Sequence, residues 1–334
     1  GNYNVGDAFK VNDLADKLKK EKLRVITDNS SINDSGYNIA TVGYFDGIHL
    51  GHKKILNELV GQAQKRNGKS VLITFWPHPR NILNPNTSVE LLLSNDDKHL
   101  FLKNIGIDYL YIIEFTKEFS KISAHSFIQN YIIKKLNVSK LIIGYNHSFG
   151  HKREGNFNFL QKNIEKYNFE IQEVKKKEID NKLKISSSSI REEVRIGSID
   201  LANKMLDYKY YITGEVIKGD GIGKKIKYPT ANILPVKNSK LIPGNGVYVC
   251  QVNFDNKNLR GMLNIGNRPT VDGKERRIEL HIFDFNTNIY GKNVKISLIT
   301  KIRDEIKFNN LDELKDQLQK DEIKSINILN NEKI

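Results

Sequence analysis

The stretch Thr41-Val42-Gly43-Tyr44-Phe45-Asp46-Gly47-Ile48-His49-Leu50-Gly51-His52 decides the fold of the first half of the chain. Asn38 to Val42 carries Ile39, Ala40 and Val42 and reads as a short buried strand. Gly43 and Gly47 then bracket a tight turn. From Leu50 onward, Leu50, Ile55, Leu56 and Leu59 recur at roughly helical spacing. A strand ends, a glycine loop turns, and a helix opens on His-x-Gly-His. A helix N-terminus presents unpaired backbone N–H groups and the positive end of the peptide dipoles, which suits a phosphate. His49 and His52 are three apart and can face one side of the first turn. Gly51 between them leaves a ligand room to reach the backbone. A capped helix with two surface histidines is the plainer reading, and the complete strand–loop–helix arrangement argues against it.

Outward from this stretch, strands and helices alternate. Strands are predicted at Ser70–Phe75, Tyr109–Glu114, Lys140–Gly144 and Phe169–Val174, and helices at Asp96–Asn104, Ala124–Leu136 and Phe157–Tyr167. Upstream, an amphipathic helix is predicted over Val11–Lys22 and a polar loop over Asp28–Gly36. Alternation of this kind makes a parallel sheet covered on both faces, with ligands at the carboxyl ends of its strands. The loops after Val42, Phe75 and Gly144 lie at such ends.

The pattern changes after Ser189. Two short helices, Ser189–Ile196 and Ser198–Leu206, precede strands with no helices between them: Tyr210–Ile217, Gly246–Phe254, Leu259–Ile265, Ile278–Phe283 and Lys295–Lys301. That is an antiparallel sheet or small barrel. A helix over Leu311–Ile323 closes the chain. The fold class is α/β plus all-β, with a first domain over 1–187 and a second over 188–334. In the second, linker helices span 188–207 and the barrel starts at about 208.

Composition bounds the function. A length of 334 residues allows two real cores, and 39% hydrophobic with 28% charged residues fits a globular protein. No apolar run approaches the roughly 20 residues of a membrane span. The polar start, with Asn2, Asn4 and Asp7, shows no signal peptide, so the reading is cytoplasmic. The single cysteine, Cys250, excludes an internal disulfide and a multi-cysteine zinc site, and reads as a buried strand residue. A net charge of +14 suits a nucleic-acid binder, polyphosphate substrates, or simply a Lys-, Asn- and Ile-rich chain. The lysines are scattered and no arginine-rich arm exists, so no nucleic-acid partner is expected. Gly61 to Ser70 ends in Gly-Lys-Ser, but its first glycine comes two residues too early for a Walker phosphate loop.

Further polar loops follow predicted strands. Thr74-Phe75-Trp76-Pro77-His78-Pro79 ends one of them, with His78 a candidate beside a nucleotide. Gly144-Tyr145-Asn146-His147-Ser148-Phe149-Gly150 ends another, and Asn146 offers both donor and acceptor. Ile185-Ser186-Ser187-Ser188-Ser189-Ile190-Arg191 combines hydroxyls, a helix N-terminus and an arginine. It reads both as a cap by Ser188 or Ser189 and as a phosphate grip by Arg191. In the second domain, Gly219-Asp220-Gly221-Ile222-Gly223-Lys224-Lys225 is a basic glycine loop. Pro229-Thr230-Ala231-Asn232 follows it, and its hydroxyl and amide are hard ligands suited to Mg²⁺. Gly266-Asn267-Arg268-Pro269-Thr270 comes after a strand, and Glu279 interrupts an apolar one, facing either solvent or a site.

The His-x-Gly-His string resembles the signature of nucleotidyltransferases. Together with Thr-Phe-x-Pro-His-Pro, Gly-x-Asn-x-x-Phe-Gly and Ile-Ser-Ser-Ser-x-Ile-Arg, the chain resembles prokaryotic bifunctional riboflavin kinase/FAD synthetases over nearly its full length. The resemblance implies a Rossmann-like adenylyltransferase domain with a parallel sheet, then a riboflavin kinase barrel with a C-terminal helix. It implies ATP, riboflavin and FMN as substrates, Mg²⁺ on Thr230 and Asn232, and Glu279 as general base. His49, His52 and Arg191 would stabilise charge in adenylyl transfer. Gly43, Phe45, Asp46, Gly47, Gly51, His78, Asn146, Ser187 and Ser188 would line that nucleotide site. Gly221, Gly223, Lys224, Arg268 and Arg303 would serve the kinase site. Two departures stand out: Asn146 replaces the usual Asp, and Lys227 the usual Gly. Partners are expected to be small molecules only, in a monomer or weak homo-oligomer. The rival readings are one active domain only, or a basic RNA-binding protein on this scaffold.

Overall fold

In the computed structural model the described residues are 23–332, apart from 29, 31, 33–35, 87, 146, 176–177, 180–182, 219–227, 237–239 and 271–272. Side chains at 178–179, 183–184, 268–270 and 273–275 are also outside the description, as is the helix expected over Val11–Lys22. Contacts divide the chain into two units, Gly1–Ile185 and Ser186–Ile334.

In the first unit the apolar runs form six parallel strands: β1 (Arg24–Ile26), β2 (Asn38–Val42), β3 (Lys69–Trp76), β4 (Tyr109–Glu114), β5 (Val138–Gly144) and β6 (Glu170–Val174). Their order in the sheet is β1-β4-β3-β2-β5-β6. Every residue of β2 is buried, as expected of a strand covered on both faces. β1 escaped the sequence reading because Arg-Val-Ile is too short to show a period; pairing with β4 creates it. A hairpin of β7 (Glu178–Ile179) and β8 (Leu183–Lys184) ends the unit.

The helices are α1 (Leu50–Lys65), α2 (Pro79–Leu83), α3 (Asn95–Ile105), α4 (Ala124–Phe127) and α5 (Phe157–Asn163). α1 buries Leu56, Leu59, Val60 and Ala63 on one stripe. It stops where Asn67 turns left-handed (φ 48°) and the Gly68 N–H returns to the Ala63 carbonyl at 2.8 Å. The single helix predicted over Ala124–Leu136 is α-helical only to Phe127 and π-helical over Ile128–Lys135. Apolar periodicity does not separate these two windings.

This strand order sets the site. From β2 the chain steps to β3 on one side, while β5 lies on the other. A crevice therefore opens at the carboxyl ends of β2 and β5, the point where connections diverge. The His-x-Gly-His turn and the Gly144–Gly150 loop both leave the sheet there.

The second unit opens with α6 (Ser187–Ile196) and α7 (Ile199–Leu206). Six strands then close an antiparallel barrel: β9 (Tyr211–Ile217), β10 (Ala231–Pro235), β11 (Gly246–Phe254), β12 (Lys257–Thr270), β13 (Gly273–Ile282) and β14 (Asn293–Arg303). Their order around it is β10-β13-β12-β11-β14-β9. β10 was missed because Pro229 and Pro235 flank a stretch of mixed polarity. Cys250 is buried in β11, and burial pushes its thiol pKa up.

α8 (Leu311–Asn331) runs beyond the predicted end at Ile323 because Ile326 and Leu329 continue its apolar stripe. With Leu318 they pack on Val247, Val249, Met262, Phe283 and Ile299 of the barrel. One ion pair pins this helix. Arg303 donates Nε to both Asp321 oxygens (3.0 and 2.9 Å) and Nη2 to Oδ2 (2.7 Å). Asp321 is only 3% exposed.

Removing one partner leaves the other charged and buried. Asp321→Ala is expected to destabilise the second unit by about 3–5 kcal/mol. Arg303→Met with Asp321→Leu should recover most of that loss. Urea unfolding of the three proteins measures both.

Candidate active sites

The first constellation starts from a strained turn. Leaving β2, the Gly43 N–H bonds the Ile73 carbonyl at 2.9 Å. Phe45 and Ile48 then adopt positive φ, 54° and 38°, with Gly47 between them at 80°. For a β-branched residue this is costly and persists only where surrounding contacts enforce it. Gly43 is required sterically: a Cβ there would lie 2.7 Å from the Phe45 ring.

Asp46 supplies part of the enforcement. Its carboxylate is 3% exposed and accepts the Leu92 N–H at 3.1 and 3.0 Å and the Leu93 N–H at 3.2 Å. Asp46 is expected in the nucleotide site, and in the free protein its carboxylate holds these amides. Its oxygens are turned inward and clip the turn to the residues before α3.

His49 is the N-cap of α1, its Nδ1 accepting the His52 N–H at 3.3 Å. The two rings stack with centroids 3.6 Å apart and an 18° tilt between planes. Gly51 accommodates this stacking, since a Cβ there would sit 3.1 Å from the His49 ring. Phe45 closes the other side, its centroid 4.9 Å from that of His52. His78 caps α2, accepting the Arg80 N–H at 3.1 Å, and its ring lies 4.2 Å from Tyr44. Asn146 lies outside the described residues.

The electrostatics are one-sided. Burial holds the His52 pKa well below the usual histidine range, and His49, Lys98 and His147 push the same way. His147, on the loop after β5, is lowered to about 4 by burial and then by Arg153. Lys98 on α3 is lowered to about 8 by burial, with Asp46 opposing. Among the described residues, His52 Nδ1 and His147 Nε2 are buried without a hydrogen-bond partner. Crowded bases with unmet nitrogens are a setting that an anion relieves. Beside them, Thr74, Trp76, Asn95, Lys98, His99 and Ile112 line a small cavity. Sequence reasoning missed Lys98 and His147; each reads locally as an exposed polar residue.

The second constellation is a row across the barrel. Asn232 of β10 pairs with Glu279 of β13, which pairs with Asn264 of β12. Directly opposed residues project from the same face of a sheet, so an amide, a carboxylate and an amide stand side by side. All three are half-buried, and Arg277 Nη1 lies 3.4 Å from Glu279 Oε1. Two residues on, buried His281 donates from Nδ1 to the Pro229 carbonyl at 2.8 Å, tying down the segment that carries half-buried Thr230. Tyr228 packs on His281 (5.3 Å between centroids) and bonds Glu322 of α8; burial and that carboxylate push its pKa up to about 12. Asn264 and His281 had no motif to announce them.

Other predicted residues divide. The cap expected from Ser188 or Ser189 belongs to Ser186, which exchanges hydrogen bonds with Ser189 at 3.1 and 3.0 Å. Ser187 and Ser188 are the first two residues of α6, and Arg191 is 6% exposed on the same helix. Arg303, expected at the kinase site, is engaged with α8. With Asp321 on Nε and Nη2, and the Asp304 carbonyl on Nη1 at 3.0 Å, its guanidinium is occupied in holding α8. Arg268 lies on β12 with its side chain outside the description, and Gly221, Gly223, Lys224 and Lys227 are outside the described residues.

Comparison with known proteins agrees with this two-part layout. The family described as FAD synthetase matches residues 31–189, and that described as riboflavin kinase matches 206–329. The bifunctional riboflavin kinase/FMN adenylyltransferase of Buchnera aphidicola subsp. Schizaphis graminum is 39% identical over 302 residues, 90% of this chain and 94% of that one. The Escherichia coli (strain K12) protein of the same name is 34% identical, covering 85% of this chain and 90% of its own. A crystal structure of a macrolide-efflux protein from Streptococcus pneumoniae superposes with a TM-score of 0.83 at 31% identity, covering 92% of this chain and 99% of that one. That name stays with that protein; among the described residues here, no helix is long and apolar enough to cross a membrane. Identity at this level over nine-tenths of both chains, with both family matches in order, means that the chain belongs to the bifunctional riboflavin kinase/FMN adenylyltransferase family.

Proposed function

We propose that the two constellations divide the family's two reactions between them. The C-terminal part, 188–334, phosphorylates riboflavin to FMN, and the N-terminal part, 1–187, adenylylates FMN to FAD with release of pyrophosphate. ATP serves both. The observation that carries the reading is the stacked His49–His52 pair at the strand-order switch, with His52 Nδ1 unmet.

In the first reaction Glu279 accepts the proton of the riboflavin 5′-hydroxyl as its oxygen attacks the γ-phosphorus and ADP departs. Its place beside Asn232 and Asn264 supports this role. Thr230 and Asn232 are the residues to hold Mg²⁺. Their hard oxygens, with Asn232 in register with the Glu279 carboxylate, suit an ion that takes its remaining ligands from water and phosphate. When bound, the metal neutralises charge on the phosphate oxygens. Gly221, Gly223 and Lys224 would cradle the phosphates, and Arg268 would meet substrate.

In the second reaction an FMN phosphate oxygen attacks the α-phosphorus of ATP and pyrophosphate leaves. His49 and His52 stabilise the charge that develops there. Gly43, Phe45, Gly47 and Gly51 shape their turn, and His78 and Asn146 flank the nucleotide. Ser187, Ser188 and Arg191 are further candidates for this reaction, from their hydroxyl-and-arginine motif at a helix start. Dependence on ATP supports a cytoplasmic place, and the scattered lysines support small-molecule partners in a monomer or weak homo-oligomer.

Incubation with riboflavin and Mg-ATP should yield both FMN and FAD on chromatographic separation; absence of both defeats the proposal. Glu279→Gln is expected to slow FMN formation by about 10²–10⁴-fold while FAD still forms from supplied FMN. His49→Ala combined with His52→Ala should give the reverse pattern.

Protonation gives an independent test. Without ligand the His52 pKa is depressed, so the histidine is neutral at neutral pH. A triphosphate favours the imidazolium, so ATP binding near pH 6.5 should take up a fraction of a proton. Calorimetry in buffers of different ionisation heat measures this, and His52→Gln should diminish it. In the free protein, depressed pKa values of His52 and His147 contribute stability above about pH 6.5. That stability is lost as pH falls toward the folded value, about 4 for His147.

A further inference from the structure

We infer that Lys98 is a positioning residue for adenylyl transfer, holding the strained turn that presents His49 and His52; the inference rests on the adenylyltransferase reading of that turn. Lys98 is buried on α3, 5% exposed. Its Nζ donates to the Tyr44 carbonyl at 3.0 Å and lies 4.1 Å from the centroid of the Tyr44 ring. One residue further along the turn is Phe45, in the left-handed conformation, and next is Asp46, held by the Leu92 and Leu93 amides. Two polar clips of opposite sense therefore bracket the strained residue. The turn gives a carbonyl to the helix's ammonium, and the segment before the helix gives two amides to the turn's carboxylate.

The clips reach the chemistry through packed rings. Phe45 lies against His52, and Tyr44 against His78. Without Lys98 the Tyr44 carbonyl loses this buried donor, and Phe45 and Ile48 lose part of what enforces their positive φ. The backbone of His49 follows at once, because Ile48 precedes it. A lysine suits the task where an arginine does not: a single compact ammonium reaches a buried carbonyl past an aromatic face. Lys98 touches no reacting atom in this account; it acts through the turn.

Lys98→Met, of similar length without charge, tests this in the full chain. Displacement of a catalytic group by about 1 Å costs on the order of 10²-fold in rate. FAD formation from FMN should lose about that factor in kcat, with KM for ATP little changed. Riboflavin phosphorylation by the other domain should be retained, and a melting profile like that of wild type should report that the first unit has folded. Asp46→Asn should give the same split, and the double variant should lose less than the product of the two single losses, since both clips hold one turn. An unchanged kcat in Lys98→Met, or equal loss of both activities, overturns the inference. A wild-type chain that makes FMN but no FAD overturns instead the reading it rests on.

Discussion

A left-handed turn that no isolated peptide would hold is the constraint on which the first unit depends. Phe45 and Ile48 at positive φ cost free energy, and buried contacts return it: the Asp46 carboxylate on two amides, the Lys98 ammonium on a carbonyl, and a fully buried Ile48. The strain has a geometric consequence. It turns the chain sharply enough off β2 that His49 becomes the first cap of α1 and His52 stacks on it within one helical turn. A relaxed turn would begin the helix elsewhere and separate the rings. The sheet contributes the rest by diverging between β2 and β5, which leaves a crevice at that one point.

Basic groups crowd this crevice, with Asp46 opposing the depression of the Lys98 pKa. His49, Lys98 and His147 lie near enough to His52 to depress its proton affinity. The nearby Asp46 carboxylate accepts backbone amides and also favours the charged form of Lys98. The free protein thus holds His52 and His147 neutral at neutral pH, and in the proposed reaction a polyphosphate would bring negative charge to them. The barrel site follows another logic. Its polar row of Asn232, Glu279 and Asn264 comes from strand register, and its loop is tied down through His281 and Tyr228 to the barrel and to α8.

Structural tasks hidden from the sequence reading share one cause. Asp46 and Arg303 stand inside motif-like polar runs and look available for ligands. Their partners are far along the chain, Leu92 and Leu93 for one and Asp321 for the other, and nothing local announces them. Lys98, His281 and Asn264 are the converse. Each reads as an ordinary polar residue in its own segment, and only burial or cross-strand pairing gives it a task.

Local order in the chain by itself determined the layered plan of this protein. The alternation of apolar runs dictated a parallel sheet, the run of strands without intervening helices after Leu206 a barrel, and His-x-Gly-His after a glycine turn a strand–loop–helix junction, because each is read from local spacing. Tertiary structure alone decided which polar groups are free for chemistry. That depends on hydrogen-bond partners brought from 18 to 52 residues away, as with Arg303–Asp321 and Pro229–His281. The strands that pairing creates, β1 and β10, were decided in the same way, since a short strand is stabilised by its neighbours rather than by its own residues.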